Sequence, residues 1–243
     1  MIKIFPNIEE LNNFAAKKFV EIAKEAIEKR GQFTIVLAGG STPKTLYQLL
    51  ASGEFKDKID WKSIYFFFGD ERNVLPSSDQ SNFRMANENL FAPLHIDFDK
   101  IYRWETELEK CEQIAFEYEQ TIKYFFRGFP KFDLILLGMG ADGHTASLFP
   151  FTEALRETEK IAVENYVEKL DSMRFTLTFP TINNARNIMF LVKGADKAET
   201  LRDVLEGEFQ PEKLPSQNVK PIDGNLFWLC DGESATFLKL ENK

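Results

Sequence analysis

The stretch that most constrains this chain is Phe132-Asp133-Leu134-Ile135-Leu136-Leu137-Gly138-Met139-Gly140-Ala141-Asp142-Gly143-His144. Its apolar half suits a central strand covered on both faces, as strands of a parallel sheet are. The run then breaks into a turn with three glycines, where the backbone can come close to a ligand. That turn delivers Asp-Gly-His at the C-terminal end of the strand. One of only two histidines in the chain stands there, and an imidazole at the mouth of a sheet can act as a base near neutral pH. The same residues admit other readings. Gly138-x-Gly140-x-x-Gly143 after a strand matches a dinucleotide fingerprint, with Glu164 as its acidic partner. Pro150 opposes that reading, because a proline breaks the crossover helix the motif needs. A tight turn with a solvated histidine is the inert alternative.

On either side of this stretch, strand and helix patterns alternate. The apolar spacing of Leu11, Ala15, Phe19, Ile22 and Ala26 predicts a helix from about Ile8 to Arg30, stopped by Gly31. Strands are expected at Phe33–Ala38, Ile64–Phe68, 132–138, Phe175–Phe179, Ile188–Val192 and Leu226–Leu229. Further helices are expected at Lys44–Leu50, near Ser81–Leu90, at Glu105–Arg127 and at Ala195–Leu205. The alternation predicts an α/β fold, a single-domain α/β/α sandwich over residues 1–243 with a mainly parallel central sheet. The proline-rich stretch 209–224 reads as loop, with too little chain after it for a second domain.

Charge and composition narrow the partners. The formal net charge is −8, which disfavours nucleic acid and anionic membranes. An anionic substrate would need a positive pocket set against that field. The 24 phenylalanines fall in strand-like runs such as Tyr65-Phe66-Phe67-Phe68. They read as core, since no basic stripe accompanies them. Cys111 and Cys230 read as reduced thiols of a cytoplasmic protein. No signal peptide is read at Met1-Ile2-Lys3-Ile4, and no apolar run reaches membrane-spanning length.

Three strands end in turns that carry chemistry, and open α/β sheets bind ligands at that edge. Gly39-Gly40-Ser41-Thr42-Pro43 before a helix outlines a phosphate cradle, with Ser41 or Thr42 as the cap and Pro43 in the first turn. It lacks the ending of a Walker loop. Asp70-Glu71-Arg72 offers a guanidinium suited to a bidentate phosphate contact, with Asp70 or Glu71 to orient it. Lys193 and Lys197, around Gly194, are further candidates for a phosphate. The bland readings are a capped helix start, a surface ion pair and solvated lysines. No His/Cys/carboxylate set has ligand spacing, so neither a metal nor another cofactor is expected. His95 reads as structural, and no serine-nucleophile elbow occurs.

Taken together, these turns resemble those of the 6-phosphogluconolactonase family. The matching segments are Leu37–Pro43, Gly69–Val74 with Asp79-x-Ser81-Asn82-Phe83-Arg84-Met85, Leu137–Pro150, Arg174-x-Thr176-Leu177-Thr178, Gly194-x-x-Lys197-Ala198 and Trp228-x-x-Asp231-x-x-Ala235. They cover nearly the whole chain in the family's order. The resemblance implies a fold of the sugar-phosphate isomerase/CoA-transferase type. It implies hydrolysis of 6-phospho-D-glucono-1,5-lactone in the oxidative pentose phosphate pathway, without a metal. The small-molecule sugar-phosphate lactone is then the partner. His144 would take a proton from water, and Asp142 would orient the imidazole or a water. Backbone N–H groups of the glycine turn around Gly140 would hold the oxyanion. Gly39, Gly40, Ser41, Thr42, Arg72, Lys197 and Arg174 would bind substrate and its phosphate. The chain departs from the family in two places. Asp171-Ser172-Met173 replaces the usual proline before Arg174, and Asn73 replaces an aromatic residue after Arg72. The related glucosamine-6-phosphate deaminase/isomerase group differs after the histidine, where this chain continues Thr-Ala-Ser-Leu-Phe-Pro. A non-catalytic sugar-phosphate-binding protein is the third reading, opposed by the lack of a DNA-binding segment.

Overall fold

The computed structural model describes residues 1–239. Six strands form one sheet in the order β1-β9-β8-β5-β2-β3, every neighbouring pair parallel. They are β1 (Ile2–Phe5), β2 (Phe33–Leu37), β3 (Ile64–Phe68), β5 (Leu134–Leu137), β8 (Asn187–Val192) and β9 (Asn225–Asp231). Three more strands, β4 (Asp70–Arg72), β6 (Ala162–Val167) and β7 (Ser172–Leu177), make a small antiparallel sheet in the order β4-β7-β6. Helices α1 (Ile8–Arg30), α2 (Ser41–Leu50), α3 (Asn82–Ala86), α4 (Ala92–Leu94), α5 (Cys111–Phe126), α6 (Phe179–Asn183) and α7 (Ala198–Glu206) flank them. The α/β class with a parallel central sheet is as expected.

Local chemistry accounts for the main elements. Asn7 caps α1 by accepting the Glu10 N–H at 2.9 Å, and Gly31 closes it with φ 75° and an N–H to Ile27 O at 2.8 Å. Glu9 and Glu10 stand in its first turn and Lys29 and Arg30 in its last, each favoured by the helix dipole. β2 and β5 are buried along their whole length, which is why they read as unbroken apolar runs. Most of the phenylalanines are core, and Phe67 packs against Tyr102, Phe125, Phe126 and Phe132; Phe98, Phe116, Phe129, Phe151, Phe209 and Phe237 are exposed instead. Cys230 is buried and Cys111 partly so, both free. No described helix is long and apolar enough to cross a membrane.

Several elements differ from expectation. β1 pairs with β9 at the sheet edge, a strand too short to show its period in sequence. Asp70-Glu71-Arg72 is a strand, not a turn; it leaves the main sheet after Gly69 and pairs with β7. Phe175–Phe179 divides, because β7 ends at Leu177 and Phe179-Pro180 begins α6, where proline suits the first turn. The helix predicted from Glu105 starts only at Cys111. After Gly143 no crossover helix follows: the chain runs through turns and one short 3-10 turn into β6, which contains Glu164. That removes the dinucleotide reading.

Candidate active site

Strands β8, β5, β2 and β3 lie side by side, so the turns after Val192, Leu137, Leu37 and Phe68 open along one edge. They enclose a cleft of about 540 Å³. Gly39, Gly40, Ser41, Thr42, Arg72, Gly140, His144, Arg174 and Lys197 all line it. Asp142 does not; it stands behind His144, in the wall of an adjoining groove.

The turn after β5 is closed on itself. Thr145 donates its hydroxyl to Gly138 O at 2.8 Å, and the Gly140 N–H donates to His144 O at 2.9 Å. The Gly143 N–H donates to Gly140 O at 3.0 Å. This corrects the expectation that the glycine amides face a ligand, since those of Gly140 and Gly143 are already satisfied. Gly140 is needed for another reason: a Cβ there would overlap both the His144 ring and the Asp142 carboxylate. Ser147 ties the turn to the neighbouring strand by donating to Asp70 Oδ2 at 2.8 Å.

Nδ1 of His144 lies 2.5 Å from Asp142 Oδ1. An ionised carboxylate only accepts, so Nδ1 carries the proton and Nε2 holds the free lone pair. The ring stacks on Phe149, with centroids 4.0 Å apart and planes 21° from parallel. The second oxygen of Asp142 takes the ammonium of Lys169. Burial acts to raise the Asp142 carboxyl, but its hydrogen bond to His144, the charge that imidazole bears once protonated and the Lys169 contact outweigh it. The net result holds the acid well below the usual carboxylate range. Sequence reading missed Lys169. It sits in a charged hairpin tip, where one lysine among Glu168 and Asp171 gives no spacing signal.

The other end of the cleft is cationic. Gly40, at φ 101°, occupies the N-cap of α2, and no side chain caps that helix. Ser41 and Thr42 are its first two residues, not its cap, so their N–H groups belong to the unpaired start of the helix. Arg72 and Arg174 face each other across β4 and β7. Their guanidiniums take neutral oxygens: Gln80 O at 2.6 Å for Arg72, Ser172 Oγ at 2.7 Å for Arg174. Burial and then the adjacent Arg72 charge push Arg174 down from its ordinary value. Glu71 does not meet the Arg72 guanidinium, contrary to expectation. It is buried beneath α3 and accepts from the Arg72, Asn82 and Phe83 N–H groups and the Ser81 hydroxyl. Burial pushes its acid upward in spite of those bonds. Lys193 also lines the cleft, while Lys197 is paired with Asp196 at 2.6 Å. Five cations, Arg72, Lys169, Arg174, Lys193 and Lys197, thus face two carboxylates, Asp70 and Asp196. His95 ends α4 in a left-handed cap with φ 52°. No cluster of three metal-ligating side chains occurs among the described residues.

An imidazole with a free Nε2 thus stands at one end of the cleft and a group of cations at the other. Comparison with known proteins gives the family. The 6-phosphogluconolactonase of Synechocystis is 41% identical over 220 residues, 88% of each chain. A probable 6-phosphogluconolactonase of Arabidopsis thaliana is 33% identical, covering 98% of this chain and 93% of its own. Among solved structures, the 6-phosphogluconolactonase of Trypanosoma cruzi superposes with a TM-score of 0.87 at 29% identity, covering 98% of this chain and 96% of that one. The family profile described as glucosamine-6-phosphate isomerases/6-phosphogluconolactonase matches residues 6–228. With the profile spanning most of its length and relatives this similar covering nearly all of it, the chain belongs to the glucosamine-6-phosphate isomerase/6-phosphogluconolactonase family.

Proposed function

We propose that this protein hydrolyses 6-phospho-D-glucono-1,5-lactone to 6-phospho-D-gluconate, a step of the oxidative pentose phosphate pathway in the cytosol. One observation carries the reading: His144, backed by Asp142, lines the same cleft as the Arg72–Arg174 pair. Two like charges directly opposite on paired strands are destabilising unless something anionic lies between or beside them. A phosphate meets that need, and the free helix start of Gly40-Ser41-Thr42 adds donors to it. Anchoring the phosphate leaves the lactone carbonyl to face His144.

Nε2 of His144 takes a proton from water as the water oxygen bonds to the lactone carbon. The carbonyl electron pair moves onto its oxygen, and the positive charge of the cleft stabilises the oxyanion that develops. When the carbonyl re-forms, the bond to the ring oxygen breaks and the imidazolium returns its proton to that oxygen. The product is the open-chain acid, which then ionises. Asp142 accepts Nδ1–H throughout and supports the imidazolium. An acidic chain with free thiols fits a cytosolic enzyme whose partner is a small sugar phosphate, not nucleic acid.

The test is acid release from freshly made 6-phosphogluconolactone, followed above its spontaneous rate. Glucosamine 6-phosphate in the same buffer, with ammonia measured, is the second arm. Catalysed acid release without ammonia is the expected result; ammonia release alone would assign the chain to the deaminase side of its family.

A further inference from the structure

We propose that Lys169, at the tip of the β6–β7 hairpin, is a positioning residue for the hydrolytic base: it clamps Asp142 by the oxygen that the imidazole leaves free and thereby fixes His144. The inference rests on the assignment of His144 as base. Asp142 presents one oxygen to the imidazole and the other to the Lys169 ammonium. A carboxylate held at one oxygen can rotate about its Cβ–Cγ bond. Held at both, it cannot turn without breaking a charged contact. The same ammonium lies 5.3 Å from the centre of the Phe149 ring, on which the imidazole stacks. Lys169 therefore touches both supports of His144: the acceptor at its edge and the ring at its face.

The hairpin tip is built to hold that lysine in place. Residues Glu168–Leu170 form one 3-10 turn, ended by Asp171 in the left-handed region at φ 43°. Asp171 also accepts the Tyr166 hydroxyl at 2.6 Å and donates its N–H to Glu168 O at 3.0 Å. Lys169 and Phe149 line both the cleft and the outer groove, which has a volume of about 900 Å³. Their contact is part of the partition between the two spaces. Opening it would let water reach the Asp142–His144 bond, where a charged hydrogen bond is stronger the less water surrounds it.

The clamp also has an electrical effect. Asp142 favours the protonated imidazole, and the ammonium of Lys169 opposes it. The other charged groups around His144 are Arg72 on β4, Arg174 on β7, Asp70, Lys193, Asp196 and Lys197, all lining the cleft. None of them changes when Lys169 alone is replaced.

Lys169→Met keeps most of the stem and removes the charge. The chain has two histidines, so an NMR pH titration of the free protein reads His144 directly, with His95→Asn used for assignment. In Lys169→Met the His144 midpoint is expected to rise, a positive charge beside its carboxylate partner being gone, while the His95 midpoint is unchanged. With the phosphorylated lactone, kcat should fall about tenfold, as for a base displaced by a fraction of an ångström, and KM should change less than about twofold. Lys169→Arg should restore the midpoint and most of kcat. Lys169→Gln, a second neutral side chain at this half-exposed position, replaces Met if that variant folds poorly. An unmoved His144 midpoint, or equal losses in the Met and Arg variants, would overturn the proposal. So would a rise in KM alone. If the wild type hydrolyses no lactone, the functional reading falls, and the titration still decides the clamp.

Discussion

His144 is made useful by its neighbours. Asp142 selects the tautomer, Phe149 fixes the plane, and the open side of the ring faces a cleft whose other wall is cationic. His144→Ala should lower kcat by about 10²–10⁴-fold, the usual worth of a positioned base, while the circular dichroism spectrum stays that of the wild type. Arg72 tests the other end. Charge-assisted hydrogen bonds contribute roughly 1.5–3 kcal/mol each. Arg72→Ala should therefore reduce kcat/KM for the phosphorylated lactone by about ten- to a hundredfold. Glucono-δ-lactone, which lacks the phosphate, should be a poor substrate for the wild type and lose little further. Equal losses on both substrates would mean that Arg72 supports the fold or the chemistry instead of the phosphate.

At the scale of elements, the turn after β5 works because one position lacks a side chain. Gly140→Ala would place a methyl group against both members of the Asp142–His144 pair. Its expected effect is a kcat loss of about a hundredfold, the consequence of a displacement near 1 Å, with KM little changed. A variant with wild-type kcat would show that the turn can relax around the extra carbon. This turn was legible in sequence because a long apolar run, three glycines and a histidine each leave a mark. The same holds for α1, whose apolar stripe and Gly31 stop show in the sequence, and for the strands buried on both faces. The small antiparallel sheet was not legible. β4 is three residues long and reads as a charged turn, and β6 mixes inward Val163 and Val167 with outward Tyr166. β4 depends on pairing with β7, about a hundred residues on, and local pattern cannot report such a partner; β6 pairs with its neighbour β7 but lacks a clean alternation to announce it. The role of Glu71 was hidden likewise, since its acceptors serve α3 eleven and twelve residues on. Lys169 reaches Asp142 across 27 residues, beyond any helical or strand period.

For the molecule as a whole, a chain of net charge −8 concentrates positive charge in one cleft. Stability carries a signature of the same site. The Asp142 acid is lowered in the folded protein, so its contribution is present above the ordinary aspartate value of about 3.9 and is lost as pH falls through the lower folded value. Urea unfolding of wild type and Asp142→Asn at pH 7 and at pH 3 should show a wild-type advantage that shrinks at the lower pH. An advantage equal at both would mean that Asp142 gains nothing from its partners on folding. The seating of the outer strands has a consequence for how the protein is made. Every residue that lines the cleft stands at or before Lys197. Yet Gly194 is held by both carboxylate oxygens of Asp231, at the far end of β9, and β1 pairs with β9 alone. A nascent polypeptide therefore carries all the chemical groups of the enzyme before it owns the strand that aligns them. β1 takes its place in the sheet only after β9 has been made.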